Sequence, residues 1–452
     1  MNIVIVGAGK VGNILASHLL AEGHEITIVD SNERVLTHVG NTMDIIGFCG
    51  NGASYATLKE VGVDKADLLI AATASDEVNM LCCLAAHKLG ARHTIARVRD
   101  PEYAEQCAVL REELGLSMAI NPELAAAREI ARILHFPAAT RVELFAGGRV
   151  ELVACRVKAE SPLVGIALRD LPKKTGIKVL ICVAERNGDI LIPSGGFVPQ
   201  EDDVLYFTGA ANEMIHAFKK INLSTTRART VMIVGGGRIT YYLASALEKE
   251  GVDVKIVERD PARAEELSAL LPKSVILVGD VTNHELLLEE GMEQVDAFVA
   301  LTGLDEGNIL AAIYASHHNA RKVIAKVNNE DLIPLMRDTP LETIVSPKRI
   351  TVNQILRYVR ALDAGDDDTN VQSLYKIIGS RVEVLEFRAD SDGEYLYRTL
   401  NDLPIKQGVL IACIIRTGRV LIPDGATEIR PQDGVLVVTS GQPIHALSDI
   451  LE

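Results

Sequence analysis

NIVIVGAGKVG, from Asn2 to Gly12, sets a run of apolar residues directly against three glycines spaced Gly7-x-Gly9-x-x-Gly12. An apolar run of this length reads as a buried strand, and the residues from about Lys10 to Glu22 read as a helix. A strand that breaks on such glycines and opens a helix is the context in which the spacing has physical meaning. The first glycine allows the tight turn, the second lets the backbone approach a diphosphate, and the third lets helix and strand pack closely. The amino terminus of the helix attracts the anion. EITIVD then ends a second strand on Asp30, where a carboxylate meets ribose hydroxyls. An acid there disfavours a 2′-phosphate, so NAD(H) or an adenosine nucleotide is expected in preference to NADP(H). Gly7, Gly9, Lys10, Val11, Gly12 and Asp30 are the candidate ligand contacts of this segment.

The pattern returns. TVMIVGGGRIT (Thr230–Thr240) repeats the glycine turn, and DVKIVE repeats the second strand, ending on Glu258. DLLIAATASDEVNML (Asp67–Leu81) matches DAFVALTGLDEGNIL (Asp296–Leu310), and TIARVRD (Thr94–Asp100) matches VIAKVNN (Val323–Asn329). Self-similarity in constant order marks a duplicated unit. Thr73, Ala74, Ser75 and Glu77 follow an apolar strand at its carboxyl end, the rim where open parallel sheets take ligands, and Arg97 ends the next strand on the same rim. Serine, threonine and aspartate at such a position also cap helices. Arg97 suits a phosphate or pairs with a carboxylate. The second copy offers Gly235, Gly237, Arg238, Glu258, Arg259, Thr302 and Lys326. Arg238, like Lys10, either meets a phosphate or points to solvent; Arg259 is placed to stack on an adenine ring. Thr240 stands where the first copy has its packing glycine, so the second site fits the pattern more loosely.

The duplication extends beyond this part. LPKKTGIKVLICVAERNGDILIPSGGFVPQEDDVLYFTG (Leu171–Gly209) matches LPIKQGVLIACIIRTGRVLIPDGATEIRPQDGVLVVTSG (Leu403–Gly441). Its short apolar runs, joined by glycine, proline and Asn-Gly turns, predict a small β-rich lobe. The expected fold class is therefore α/β: two doubly wound parallel-sheet domains of Rossmann type, each followed by a small α/β lobe. The expected boundaries are 1–134, 135–222, 229–358 and 359–452. Asn121–Leu134 and Ser346–Val359 read as linking helices, and Asn222–Thr230 as the linker between halves.

Composition narrows the function. With a formal net charge of −15 and no long run of Lys or Arg, nucleic acid is not an expected partner, although two or three placed cations still suffice for a nucleotide. The apolar stretches are shorter than the roughly 20 residues of a membrane-spanning helix. The start of the chain leads from apolar residues straight into glycines rather than into a cleavage site, so a cytoplasmic location is expected. Seven cysteines, without a Cys-x-x-Cys pair, read as buried thiols. A nicotinamide dehydrogenase, the alternative reading, needs an acid–base group and a substrate region. No Tyr-x-x-x-Lys, Gly-x-Ser-x-Gly or His-Glu-x-x-His pattern supplies one, and the histidines, among them His135, His216, His317 and His445, are scattered.

The doubled series of glycine turn, strand-ending acid, TASDEVN rim and LPKKTG…LIP…DD lobe resembles the regulatory subunits of bacterial Trk potassium uptake systems over essentially the whole chain. These are built from domains that regulate potassium conductance. The resemblance implies a peripheral protein on the inner face of the cell membrane, a homotetramer forming a ring of eight such domains beneath a potassium-translocating membrane subunit. It further implies NAD(H) and ATP or ADP as ligands, with Gly7, Gly9, Gly12 and Asp30 matching the family pattern, and Gly235, Gly237 and Glu258 matching it in the second half. Lobes joined by a hinge helix are expected to take two arrangements, whose populations the ligand shifts.

Overall fold

A computed structural model describes the chain except residues 137–138, 146–148, 177–178, 210, 222, 224–226, 319, 337–338, 342, 367–370, 379–380, 442–443 and 445. Only the backbone is described at 105, 108, 144, 175, 211–212, 330, 334, 363–366 and 371–376. Part of the expected linker between halves (222 and 224–226), residues 367–370 and His445 thus lie outside the described residues.

Strands β1 (Asn2–Val6), β2 (Glu25–Asp30), β3 (Ile46–Cys49), β4 (Leu68–Ala71), β5 (His93–Arg97) and β6 (Met118–Ile120) form the first sheet. Their order is β3-β2-β1-β4-β5-β6, every pair parallel. The sheet is covered by helices because its strands bury both faces: all four residues of β4 are buried, as are Ile3 to Val6 in β1. In the helix Lys10–Ala21 the buried residues Val11, Gly12, Leu15, Ala16 and Leu19 recur every three or four positions, which is one helical face. The sense in which successive strands are added reverses between β1 and β4, which places the glycine turn and the rim at a topological switch point.

The β-rich segment that follows carries β7 (Ala139–Phe145), β8 (Val150–Arg156), β9 (Leu180–Arg186), β10 (Asp189–Leu191) and β11 (Val204–Gly209), antiparallel in the order β10-β9-β11-β8-β7. The second parallel sheet contains β12 (Thr230–Val234), β13 (Asp253–Glu258), β14 (Val275–Val278), β15 (Ala297–Ala300), β16 (Lys322–Lys326) and β17 (Thr343–Val345) in the same order as the first. β18 (Val371–Ile377), β19 (Val382–Arg388), β20 (Val409–Arg416), β21 (Arg419–Leu421) and β22 (Gly434–Thr439) form the second antiparallel sheet. The two antiparallel sheets contribute to one apolar core, with Leu152, Cys182 and Tyr206 from one and Val384, Cys413 and Leu436 from the other.

Each small lobe is closed by the same ion pair. Arg186 grips buried Asp203 through Nε and Nη2, both at 2.7 Å, and Arg416 grips buried Asp433 at 3.0 and 2.7 Å. A two-pronged guanidinium contact is among the stronger charge-assisted hydrogen bonds.

The chain divides into two compact units, one of Met1–Arg128 with Gly236–Leu243 and Ser346–Leu356, the other of Glu129–Gly235, Ala244–Val345 and Arg357–Glu452. A helix runs Pro101–Val109, where the Asp100 side chain caps it and Pro101 sets its first turn. Two local readings of the sequence need adjustment. Short β3 and β6 were not expected, because three or four residues at an edge carry little periodicity. The helix expected at Ser346–Val359 continues to Asp366.

Candidate functional site

At the end of β1, Gly7 adopts φ 107°, and a Cβ there would stand 3.0 Å from the Ala72 carbonyl and the Thr73 nitrogen. Only glycine fits this turn without strain. A Cβ on Gly12 would fall 2.0 Å from the Gly7 oxygen, so the helix begins in backbone contact with the turn. Gly9 differs, because a Cβ there meets no heavy atom within 4 Å. Gly9 is the cap residue of the helix and supplies no side-chain hydrogen bond to its first-turn amides. Those amides need a partner from outside the helix, which is how a helix amino terminus takes an anion. Exposed Lys10 and largely buried Val11 follow.

Asp30 ends β2 beside this turn. Its Oδ2 accepts the Ala8 N–H at 2.7 Å and its Oδ1 the Asn32 N–H at 2.8 Å. These fix the carboxylate and use two of its roughly four acceptor positions. The remainder suit a pair of hydroxyls.

The rim beyond β4 is organised by a residue that sequence reasoning missed. Asn79, fully buried, accepts from the Thr73 N–H at 2.8 Å and from Thr73 Oγ1 at 2.7 Å, and donates to the Arg97 carbonyl at 2.8 Å. One amide thus ties the end of β4 to the end of β5. Asp76 does the same one turn earlier, accepting the Arg99 and Asp100 N–H groups, both at 2.8 Å. Ser75 accepts the Val78 N–H and donates to Glu77 Oε2 at 2.6 Å, so its hydroxyl caps a helix. The Ser75 hydroxyl, with Tyr103, holds the exposed Glu77 carboxyl below its usual pKa. Exposed Ala74 offers its carbonyl to Arg99 Nη2.

Arg97 is half-buried at the end of β5, with no hydrogen-bond partner at its buried Nε among the described residues. Burial and then the neighbouring Arg99 lower its pKa, opposed by Glu123 and Asp76. Burial raises that of Glu123.

The second copy repeats most of this. Gly235 has φ 95° and a Cβ there would meet Thr302 N at 2.8 Å; a Cβ on Gly237 would meet nothing within 4 Å. Glu258 ends β13 and accepts the Asp260 N–H at 2.8 Å. Asn308, again fully buried, bonds Thr302 Oγ1 at 2.7 Å and the Lys326 carbonyl at 3.0 Å. A repeated Asn in DEVN and DEGN was the available signal for both clips. Two cations are placed less simply than the sequence suggested. Arg259 is 81% exposed and lies 3.8 Å from Asp280, and Arg238 lies 3.8 Å from Asp100.

With this geometry established, comparison with known proteins places the chain. The TrkA-N domain model matches residues 3–122 and 231–347, and the TrkA-C domain model matches 152–222 and 384–452. Duplicated parallel-sheet lobes of the TrkA-N kind, alternating with TrkA-C lobes, define a tandem potassium-uptake regulatory class. The Trk system potassium uptake protein TrkA of Vibrio alginolyticus is 34% identical over 97% of this chain and 95% of its own. A TrkA homolog of Archaeoglobus fulgidus is 33% identical over 100% of both. The chain belongs to the TrkA family of Trk system potassium uptake proteins.

Among solved structures, the GsuK channel bound to NAD superposes with TM-score 0.64 at 18% identity, covering 97% of this chain and 77% of that one. GsuK bound to ADP superposes with TM-score 0.51 at 16% identity, covering 81% and 70%. These likenesses concern the fold. Among the described residues no helix is long and apolar enough to cross a membrane, and no cluster of three His, Cys, Asp or Glu side chains forms a metal site.

Proposed function

We propose that the chain is the nucleotide-binding regulatory subunit of a Trk-type potassium-translocating membrane protein. Four lobes, 1–134, 135–222, 229–358 and 359–452, act as two binding domains and two regulatory ones. The observation that carries the reading is the duplicated rim: in each half a glycine turn, a strand-ending acid and an Asn-clipped Thr loop gather at the carboxyl ends of the strands. Relatives named for potassium uptake supply the context.

In the first half the diphosphate of NAD(H), ADP or ATP lies against the Gly7–Gly12 turn and the first-turn amides of the helix, with Lys10 beside it. Asp30 takes the ribose hydroxyls, and the Thr73–Glu77 rim borders the adenosine. Arg97, whose Nε has no hydrogen-bond partner among the described residues, reads a terminal phosphate. In the second half Gly235, Gly237 and Arg238 face the phosphates, Glu258 the ribose, and Arg259, Thr302 and Lys326 border the site. The protein's residues bind and orient the ligand and transfer nothing. Four chains assemble as a ring of eight domains on the inner face of the membrane. Ligand that binds one arrangement of the ring more tightly shifts its population, and a tenfold shift needs about 1.4 kcal/mol of difference.

The test is potassium flux through the membrane subunit in proteoliposomes, with and without this chain, at several concentrations of ATP, ADP and NADH. Flux that depends on nucleotide only when the chain is present is expected. Nucleotide-independent flux, or turnover of NADH by the chain with a carbonyl compound, overturns the reading.

A further inference from the structure

Inside the first compact unit, the opening turns of the helix Arg238–Lys249, which belongs to the second glycine turn, meet the rim of the first. Tyr242 Oη donates to the Arg99 carbonyl at 3.2 Å and accepts from Asn121 Nδ2 at 2.9 Å. Asn121 Nδ2 also reaches the Arg99 carbonyl, at 3.2 Å. Arg99 in turn donates through Nη2 to the Ala74 carbonyl, while its N–H is held by Asp76. One turn back along the same helix, Arg238 lies 3.8 Å from Asp100. A continuous path of polar contacts therefore runs from Ala74, on the rim proposed to border the first ligand, through Arg99 to a hydroxyl supplied by the other half.

The residues that build the path are not repeated in the reverse sense. In the aligned repeats Ile14 stands where Tyr242 does, Asn328 where Arg99 does, and Ser346 where Asn121 does. An isoleucine has no hydroxyl to donate, and an asparagine lacks the reach and charge of a guanidinium. Tyr242 is partly buried, and desolvation raises its pKa to about 12, so it keeps its proton and remains a donor at neutral pH.

We infer that Tyr242 is a positioning residue for the first nucleotide site: it fixes the Arg99 main chain and thereby the Ala74 loop, and it couples occupancy of that site to the second half's glycine-turn helix. The inference rests on the proposed binding of nucleotide at the Ala74 rim. Coupling between sites is reciprocal, so whatever Tyr242 contributes to the first site it also transmits to the second.

The experiment uses the full chain and ADP as probe. Calorimetry compares wild type, Tyr242→Phe, which keeps the ring and removes the hydroxyl, and Tyr241→Phe, a neighbouring control. Loss of one neutral hydrogen-bond junction predicts a roughly five- to tenfold weaker first Kd in Tyr242→Phe alone. Hydrogen exchange supplies a readout that a purely structural role would leave alone. In wild type, ADP is expected to protect both the 73–77 rim and the 238–243 turns; in Tyr242→Phe the rim is still protected at saturation and the turns are not. Equal Kd values and equal protection in wild type and Tyr242→Phe overturn the inference. No ADP binding to wild type instead overturns the functional reading beneath it.

Discussion

The two Rossmann lobes share strand order and clip chemistry but differ where the helix leaves the turn. In the first, Gly12 brings the helix backbone against the Gly7 oxygen; in the second, the fully buried Thr240 occupies that position. The first rim loop is capped by the Ser75 hydroxyl, whereas Leu304, 68% exposed, stands at the cap of the second with no side-chain hydrogen bond. What both lobes keep is Asn79 or Asn308 and the strand-ending acid. Duplication has thus preserved the groups that shape a rim and relaxed those that pack the helix against the turn.

The comparison is broken most severely by making the first lobe resemble the second. Gly12→Thr places side-chain atoms into the Gly7 carbonyl, and the expected outcome is loss of measurable ADP binding at the first site by calorimetry, with a lowered melting temperature. Survival of that binding would mean the turn is more pliant than its contacts indicate. Next in size are the clips. Asn79→Ala and Asn308→Ala each strand a buried N–H and a carbonyl, costing about 2–4 kcal/mol in urea denaturation. Similar losses support one shared device; a loss in only one half would show that the lobes have diverged further.

A smaller effect concerns the acids. Asp30→Ala is expected to weaken NADH roughly tenfold while narrowing its advantage over NADPH, both read by fluorescence titration. Equal affinities of wild type for the two cofactors contradict the role given to Asp30.

The smallest is a pH effect at Glu123, whose counterpart in the second half is Lys348. Burial raises the folded pKa of Glu123, so between the ordinary carboxylate value and the raised one the folded state binds the proton that the unfolded state has released. Its contribution to stability therefore falls as pH rises through that window. Glu123→Gln should flatten the decline of melting temperature across it, and an unchanged pH profile would refute the sign.

The glycine turns, Asp30, Glu258 and the division into parallel-sheet domains and small β-rich lobes were legible in the sequence because each follows from local backbone geometry or apolar period. Arg97 was legible as a cation on the rim, but its relation to Arg99 was not, since the two differ in partners rather than in pattern. Asn79 was present in a quoted motif and passed over, because a polar residue three positions into a helix reads as solvated until its burial is known. Tyr242 was out of reach altogether. Its partner Asn121 is 121 residues away, and no period or spacing encodes a tertiary contact of that range.

The most direct test of the account is a calorimetric titration of the purified chain with ADP and with NADH, followed by absorbance of the NADH sample in the presence of small carbonyl compounds. The account predicts saturable binding, a tighter site that Gly12→Thr removes and a weaker one that it spares, and NADH absorbance that stays constant. Steady consumption of NADH, or no heat of binding with either nucleotide, would contradict it.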